Sequence, residues 1–122
     1  MYIHKYRLGA QESRFIELMW EATPLTTREM TELCAEKLNW ARTTTYTILK
    51  KFCERGVLDM TNSLVTVLMD RDTFYALQSE EFVETSFGGS LPAFIAAFTK
   101  RKALSEAEVA EIQKLLEAYK EA

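Results

Sequence analysis

A row of hydroxyl side chains lies in the middle of the chain, within the stretch NWARTTTYTILKKFCERG at residues 39–56. Thr43, Thr44 and Thr45 are consecutive there, although threonine is a mediocre helix former because its β-branch loses rotamer freedom in a helix. A threonine hydroxyl can donate to a phosphate oxygen or meet the edge of a base, and its methyl group can pack on a thymine methyl. Residues of these types could contact double-stranded DNA.

Basic and aromatic side chains accompany the threonines. Lysine and arginine attract phosphate, and either can also bind guanine through two hydrogen bonds. Tyr46 adds a ring and a hydroxyl. The candidate groove contacts are Arg42, Thr43, Thr44, Tyr46, Thr47 and Lys50, and the candidate phosphate anchors are Lys51 and Arg55.

A helical wheel divides this stretch into two faces, at about 100° per residue. The predicted core face consists of Thr45, Ile48, Leu49 and Phe52. The opposite face carries Thr43, Thr47, Lys50 and Glu54. An ordinary solvated helix face is the alternative interpretation, and the carboxylate of Glu54, which repels phosphate, supports it.

The charges are distributed unevenly along the 122 residues, whose net charge is −3. Residues 1–58 contain nine basic and seven acidic residues, net +2, whereas residues 59–122 contain six and eleven, net −5. With 48% hydrophobic and 27% charged residues the chain is typical of a globular protein. The asymmetry fits a module that faces DNA followed by one that need not, although chance could also produce it.

Few residues could support catalysis or bind a metal. The two cysteines, Cys34 and Cys53, lack the spacing of a zinc finger, and the one histidine is His4. Both cysteines adjoin apolar helical stripes, so we expect them to be buried. The chain has almost none of the residues that a Ser-His-Asp or Cys-His catalytic site requires. We therefore predict no enzyme, no cofactor and no metal site.

Nothing in the sequence indicates a membrane segment. No apolar run approaches the ~20 residues of a membrane-spanning helix. The first ten residues, MYIHKYRLGA, lack the apolar core of a signal peptide. We expect a cytoplasmic protein with no membrane partner.

Hydrophobic spacing and capping signals predict six helices and one hairpin. Helix 1 is expected over 8–22, helix 2 after a Thr26/Glu29 capping box, and helix 3 over about 41–55 with Gly56 at its end. Strand-like runs at 57–60 and 64–70 flank a turn. The remaining helices are expected at 73–87 capped by Asp72, at 91–102 capped by Ser90, and after a Ser105/Glu108 capping box.

This order of elements is that of a winged helix-turn-helix, a mainly α fold with a small β-hairpin. In that arrangement helix 3 enters the major groove, the hairpin or wing touches the backbone, and Thr26 and Thr27 at the start of helix 2 become further backbone contacts. We predict a DNA-binding domain over 1–71 and a helical dimerisation domain over 72–122.

The fifth helix indicates how the second domain is used. Its sequence LPAFIAAF is apolar nearly all round, so it must be buried. A second copy of the chain would bury it, and a two-fold dimer would match a two-fold operator; a core within the chain is the alternative. The candidate dimer contacts are Phe82, Phe87, Leu91, Phe94, Ile95, Phe98, Val109, Ile112, Leu116 and Tyr119.

Nearly the whole chain resembles the penicillinase-repressor (BlaI/MecI/CopY) family. The similar segments, in order, are LGAQESRFIELMWE, TTREMTELCAEKLNWARTTTYTILKKFCERGVL, FGGSLPAFIAAF and LSEAEVAEIQKLLE. The most specific parts are the pattern W-A-x-x-T-x-Y-T-x-L at 40–49 and FGGS at 87–90. The resemblance implies a homodimeric transcriptional repressor whose winged helix binds an inverted-repeat operator and whose C-terminal helices intertwine.

The chain departs from the family pattern at three places. The wing, DMTNSLVTVLMDRD, lacks the basic residues and glycine usual near the tip, and Leu68 and Met69 stand where an aromatic residue is usual. Antibiotic-responsive members are cleaved by a sensor protease at an Asn-Phe pair, and the matching position here is Ala97-Phe98. No C-terminal cysteine cluster is present, so copper sensing is not expected.

The unusual wing keeps a second class of function open. The alternative is a winged-helix protein-interaction module with weak or no DNA binding, favoured by the wing, by Glu54 and by an isoelectric point near 5.3. A regulatory protease acting near Ala97-Phe98 is a further expectation, carried by the resemblance alone.

Overall fold

The computed structural model describes residues 5–121, so His4 lies outside the described residues. This part of the chain forms an α+β winged helix, which confirms the predicted fold class. The elements are α1 (Ala10–Ala22), β1 (Leu25–Thr26), α2 (Thr27–Leu38), α3 (Arg42–Glu54), β2 (Leu58–Thr61), β3 (Leu64–Val67), α4 (Arg71–Phe87), α5 (Leu91–Thr99) and α6 (Glu106–Tyr119). Along residues 5–121, no helix is both long and apolar enough to cross a bilayer.

Side-chain caps fix the starts of several helices. The Thr26 hydroxyl accepts a hydrogen bond from the Glu29 amide at 3.1 Å, and the Glu29 carboxylate accepts one from the Thr26 amide at 2.9 Å, as the capping box predicts. Ser105 and Glu108 repeat this exchange at the start of α6. Ser90 caps α5 by accepting from the Ala93 amide. These bonds satisfy amide groups that have no partner inside the helix.

The start of α4 corrects one prediction. Asp70, rather than Asp72, supplies the capping carboxylate, because its Oδ1 accepts a hydrogen bond from the Thr73 amide at 2.9 Å. Asp72 instead lies within the first turn, where a negative charge is favourable beside the positive end of the helix dipole. At the other end of the chain, α5 stops at Thr99 instead of reaching residue 102.

The sheet has three antiparallel strands in the order β1-β3-β2. β2 and β3 form the predicted hairpin, with Leu58 opposite Val67 and Thr61 opposite Leu64. The two-residue turn between them, at 62–63, has positive φ values of 53° and 61°, as a type I′ turn requires. β1 has only two residues, too few to give a periodic signal, so the sequence did not predict it.

The chain forms two compact units, one up to Phe82 and one from Val83. The division falls within α4, later than the predicted domain boundary at residues 71/72. In the first unit, Phe15 of α1 stacks against both Trp40 and Phe52, with ring centroids 5.7 Å apart in each pair. The core also contains Ile16, Met19, Leu25, Met30, Cys34, Leu49, Val57, Leu58, Val65 and Phe74.

The second unit contains no buried side chain among its described residues, 83–121. Phe94 contacts Phe87 and Phe98, with ring centroids 5.5 and 6.4 Å away. Large apolar side chains nevertheless remain exposed along both of its complete helices, at Leu91, Ile95, Phe98, Val109, Leu115, Leu116 and Tyr119. By itself, this unit forms helices but has no hydrophobic core among its described residues.

A polar cluster connects α1 to the beginning of α4. The Glu17 carboxylate accepts hydrogen bonds from Arg71 Nη2 at 2.6 Å and from the Tyr75 hydroxyl at 2.8 Å. The Arg71 guanidinium lies 5.5 Å from the centre of the Trp20 ring, and the Trp20 indole donates to the Met69 carbonyl at 2.9 Å. Hydrogen bonding from Arg71, more than that from Tyr75, holds the pKa of Glu17 below its ordinary value of 4.5.

Because the pKa of Glu17 is lower in the folded protein than in the unfolded chain, its charge stabilises the fold above pH 4.5. This contribution is lost as the pH falls through the lowered pKa. We expect Glu17→Gln to reduce the urea midpoint at pH 7, and the difference from the wild type to shrink below about pH 4. Glu80→Gln, at an exposed position on α4, is the control. A difference that stays constant with pH would contradict the assignment.

Candidate nucleic-acid interface

The outer face of α3 carries the candidate contact residues. Arg42, Thr43, Thr44, Thr47, Lys50, Lys51 and Glu54 are all exposed. On the opposite face Thr45, Leu49 and Phe52 are buried and Ile48 is half-buried against the core. The helical wheel therefore predicted both faces of this helix correctly.

The three consecutive threonines have different environments. Thr45 is fully buried, and its hydroxyl donates to the Ala41 carbonyl at 3.1 Å, so the buried polar group is satisfied by its own helix. Thr43 and Thr44 are exposed at the N-terminal end of α3. The exposed Thr47 hydroxyl donates to the Thr43 carbonyl at 2.9 Å, which leaves its oxygen available as an acceptor.

Tyr46 connects the beginnings of α2 and α3. Its side chain is half-buried, and the Arg42 guanidinium lies 5.5 Å from the centre of its ring. The pKa of Tyr46 lies below its ordinary value, because the Thr27 hydroxyl and, after it, the Arg42 guanidinium stabilise the charged form of the phenol. Two predicted groove residues and one predicted backbone contact thus form one cluster at the N-terminal ends of two helices.

The start of α2 is also tied to the tip of the wing. The Thr27 amide donates to the Ser63 carbonyl at 2.9 Å, and Thr26 pairs with Leu64 in the short β1–β3 ladder. The Thr26 oxygen already accepts from the Glu29 amide, although its hydroxyl hydrogen can still donate. The position of Thr26 and Thr27 is therefore set by the sheet as well as by the helix cap.

Arg55 occupies a different environment from the other basic residues of α3. Its Nη1 lies 3.5 Å from Glu12 Oε2 of α1, and the two side chains are only 23% and 17% exposed. The guanidinium also lies 5.8 Å from the centre of the Phe52 ring. Arg55 was predicted to anchor a phosphate, but its charge is directed towards a carboxylate inside the first unit. Glu12 lies 43 positions earlier in the chain, so no local pattern predicts it as the partner.

The remaining cations of α3 face solvent. Among residues 5–121, Arg42, Lys50 and Lys51 form no ion pair with a carboxylate. Glu54 lies on the same side and offsets one positive charge. The exposed face of α3 thus has a net positive charge together with hydroxyl groups, as a surface that contacts phosphates and base edges needs.

Sequence reasoning missed Asn39, which lies between α2 and α3. Its φ of 57° is left-handed, its side chain is exposed, and it ends α2 two residues before the extended residue Ala41. Asparagine tolerates this conformation because its short polar side chain can hydrogen-bond locally. An Asn at the end of a helical pattern is the signal that could have marked it.

The cysteines occupy apolar surroundings. Cys34 is buried, as predicted, whereas Cys53 is half-buried. Burial raises the pKa of both thiols, and the carboxylates of Asp59 and Glu54 raise that of Cys53 further. Within residues 5–121, His, Cys, Asp and Glu side chains do not form a group of three that could hold a metal ion.

A three-helix unit with a short antiparallel sheet, and with the polar face of the third helix exposed, defines the winged-helix class. Residues 8–118 match the penicillinase repressor family, and the chain belongs to that family. It is a family of DNA-binding transcriptional regulators rather than of enzymes. No curated protein matches the sequence significantly.

Thr45 is buried and Thr47 is exposed, so the same substitution at the two positions should affect stability differently. Thr45→Val keeps the shape of a buried side chain but removes its hydrogen bond to Ala41, and we expect a loss of about 1 kcal/mol in the free energy of unfolding. Thr47→Val removes an equivalent bond at an exposed position, where water replaces it, and should change stability far less. Urea unfolding of both variants checks the difference. Equal losses would show that burial of Thr45 does not matter.

Proposed function

We propose that the protein is a homodimeric repressor that places α3 in the major groove of an inverted-repeat operator. The observation that carries the proposal is the cationic, hydroxyl-bearing face of α3, which is exposed over its whole length and begins beside the N-terminus of α2. Family membership supports the coarser part of this statement, DNA binding and repression.

The groove contacts in the proposal are Arg42, Thr43, Thr44, Tyr46, Thr47 and Lys50. Hydroxyl and guanidinium groups at the N-terminal end of a recognition helix are the groups that reach base edges in this class of protein. The Arg42 guanidinium lies 5.5 Å from the centre of the Tyr46 ring, and this cation–π attraction favours positions of the guanidinium beside the helix. This preference lowers the entropy lost when Arg42 binds a base.

The phosphate contacts in the proposal are Lys51, Thr26 and Thr27. Lys51 is exposed at the edge of the polar face, and the N-terminus of α2 presents amide groups and a positive dipole end to a phosphate. Arg55 is left out of this set, because its pairing with Glu12 would have to be broken before it could reach DNA.

Dimerisation is proposed from the second unit. A segment of about 40 residues rarely folds on its own without a core. The exposed apolar side chains of α5 and α6 would form that core with the same residues of a second copy. The proposed interface comprises Phe82, Phe87, Leu91, Phe94, Ile95, Phe98, Val109, Ile112, Leu116 and Tyr119. We add Leu115 to it, because its side chain is 57% exposed.

Proteolytic control is not included in the proposal. The Ala97–Phe98 bond lies within α5, whose backbone is helical up to Thr99. A protease that binds an extended chain would first have to unwind this helix. Nothing in the described residues supports a protease partner.

The proposed DNA binding is tested by titrating the purified protein into a labelled pool of palindromic duplexes, with fluorescence anisotropy at two salt concentrations. Selective binding with a steep salt dependence would support an operator-reading repressor. Weak binding to every duplex at low salt would contradict it and favour a protein-interaction module.

Single substitutions in α3 separate base contacts from phosphate contacts. Lys51→Ala should weaken binding to all duplexes about equally and reduce the salt slope by about one unit. Thr47→Ala should change which duplex is preferred. The control is Lys37→Ala on α2, an exposed lysine outside the proposed interface. An unchanged salt slope for Lys51→Ala would remove that residue from the contact set.

The dimer interface is tested on α6. Leu116→Glu places a charge on the apolar stripe, and we expect the dimer dissociation constant to rise at least about tenfold, because an unpaired charge is costly to bury. Lys114→Glu introduces the same residue on the opposite side of the helix and should leave the dimer intact. Sedimentation velocity distinguishes the two. A Leu116→Glu dimer as tight as the wild type would contradict the proposed interface.

A further inference from the structure

The outer face of the wing is apolar and acidic. Side chains alternate across a strand, so Leu64, Thr66 and Leu68 share one side of β3 and its extension. Leu64 is 42% exposed and Leu68 is 63% exposed. Opposite them on β2 lie Thr61 and Asp59, whose carboxylate accepts a hydrogen bond from the Thr61 hydroxyl. From residue 56 to residue 70 the sequence has no lysine or arginine, so this face has little attraction for phosphate.

A cavity of about 570 Å³ lies at the base of the wing. Its lining combines an apolar wall with two exposed carboxylates, Asp70 and Asp72. Asp70 caps α4 through one oxygen, which leaves its other oxygen available. Arg71 also lines the cavity, but its charge is paired with Glu17. The other lining residues are Trp20, Thr23, Pro24, Thr66 and Val67. A cavity of this kind suits a cationic side chain with an aliphatic stem.

The chain itself contains a segment with the complementary chemistry. Lys100, Arg101 and Lys102 are consecutive and exposed directly after α5. Among the described residues, these three cations form no ion pair with a carboxylate. The segment presents three positive charges on aliphatic stems, and the wing presents two leucines and three carboxylates.

We propose that the wing of one copy binds the basic segment at residues 100–102 of a copy from another dimer. The cations would face Asp59, Asp70 and Asp72, and their aliphatic stems would pack on Leu68. Such a contact joins two different surfaces, so it does not close on itself and can link one dimer to the next. The wing would then mediate association between repressor dimers instead of contact with the DNA backbone.

The contact is tested without DNA by sedimentation velocity of the full chain. At about 50 mM salt the wild type should associate beyond its basal species as concentration rises, and at about 500 mM salt this association should disappear. The wing variant Asp59→Lys/Asp72→Lys and the segment variant Lys100→Glu/Lys102→Glu should each weaken it at least about tenfold, because like charges then face each other.

A mixture of the two variants gives the sharpest readout. The reversed wing of one variant matches the reversed segment of the other, so the mixture should associate more tightly than either variant alone. Glu36→Lys/Glu80→Lys changes the net charge by the same amount as the wing variant, at exposed positions elsewhere, and should behave as the wild type.

Two results would overturn the proposal: no salt-sensitive association of the wild type, or no recovery in the mixture when both variants remain folded by circular dichroism. The species at high salt reports separately on the apolar dimer of α5 and α6. Failure of that dimer and failure of the wing contact are therefore distinguishable.

Discussion

The stacking of Phe15 between Trp40 and Phe52 is the interaction on which the rest of the first unit depends. It joins α1 to the segment that precedes α3 and to the inner face of α3 itself. Because this contact fixes the rotation of α3 about its axis, it also fixes which residues face outward. The buried, internally bonded Thr45 belongs to the same inner face. The polar surface proposed to read DNA is thus a consequence of how the opposite side of the helix packs.

The two units differ in where their apolar side chains lie. The first encloses its aromatic and aliphatic side chains within one chain, whereas the second exposes its own along α5 and α6. Burial of apolar surface contributes roughly 25 cal/mol per Å², so leaving such helices in water would forgo most of their stabilisation. Folding of the second unit and assembly are then expected to be a single process that depends on protein concentration.

Much of this organisation could be predicted from the sequence. The capping boxes at Thr26 and Ser105 and the two faces of α3 depend on neighbouring residues, and the structure confirms them. The missed features depend on tertiary contacts. β1 exists only because β3 pairs with it, and Arg55 turns inward only because the fold brings Glu12 beside it. The carboxylates of Asp70 and Asp72 can both cap a helix. The path of the chain as it leaves the wing determines that Asp70 caps α4.

The hydrogen bond from the Thr27 amide to the Ser63 carbonyl has a mechanical consequence. It joins the wing tip to the beginning of α2, so a force applied to the hairpin also acts on the helix end that we propose contacts a phosphate. The type I′ turn beside it has only two residues, so the hairpin has little freedom to bend independently of α2. A partner bound to the wing would therefore also shift the hydroxyl of Thr27, and with it the neighbouring phenol of Tyr46, relative to the DNA groove that we propose for α3.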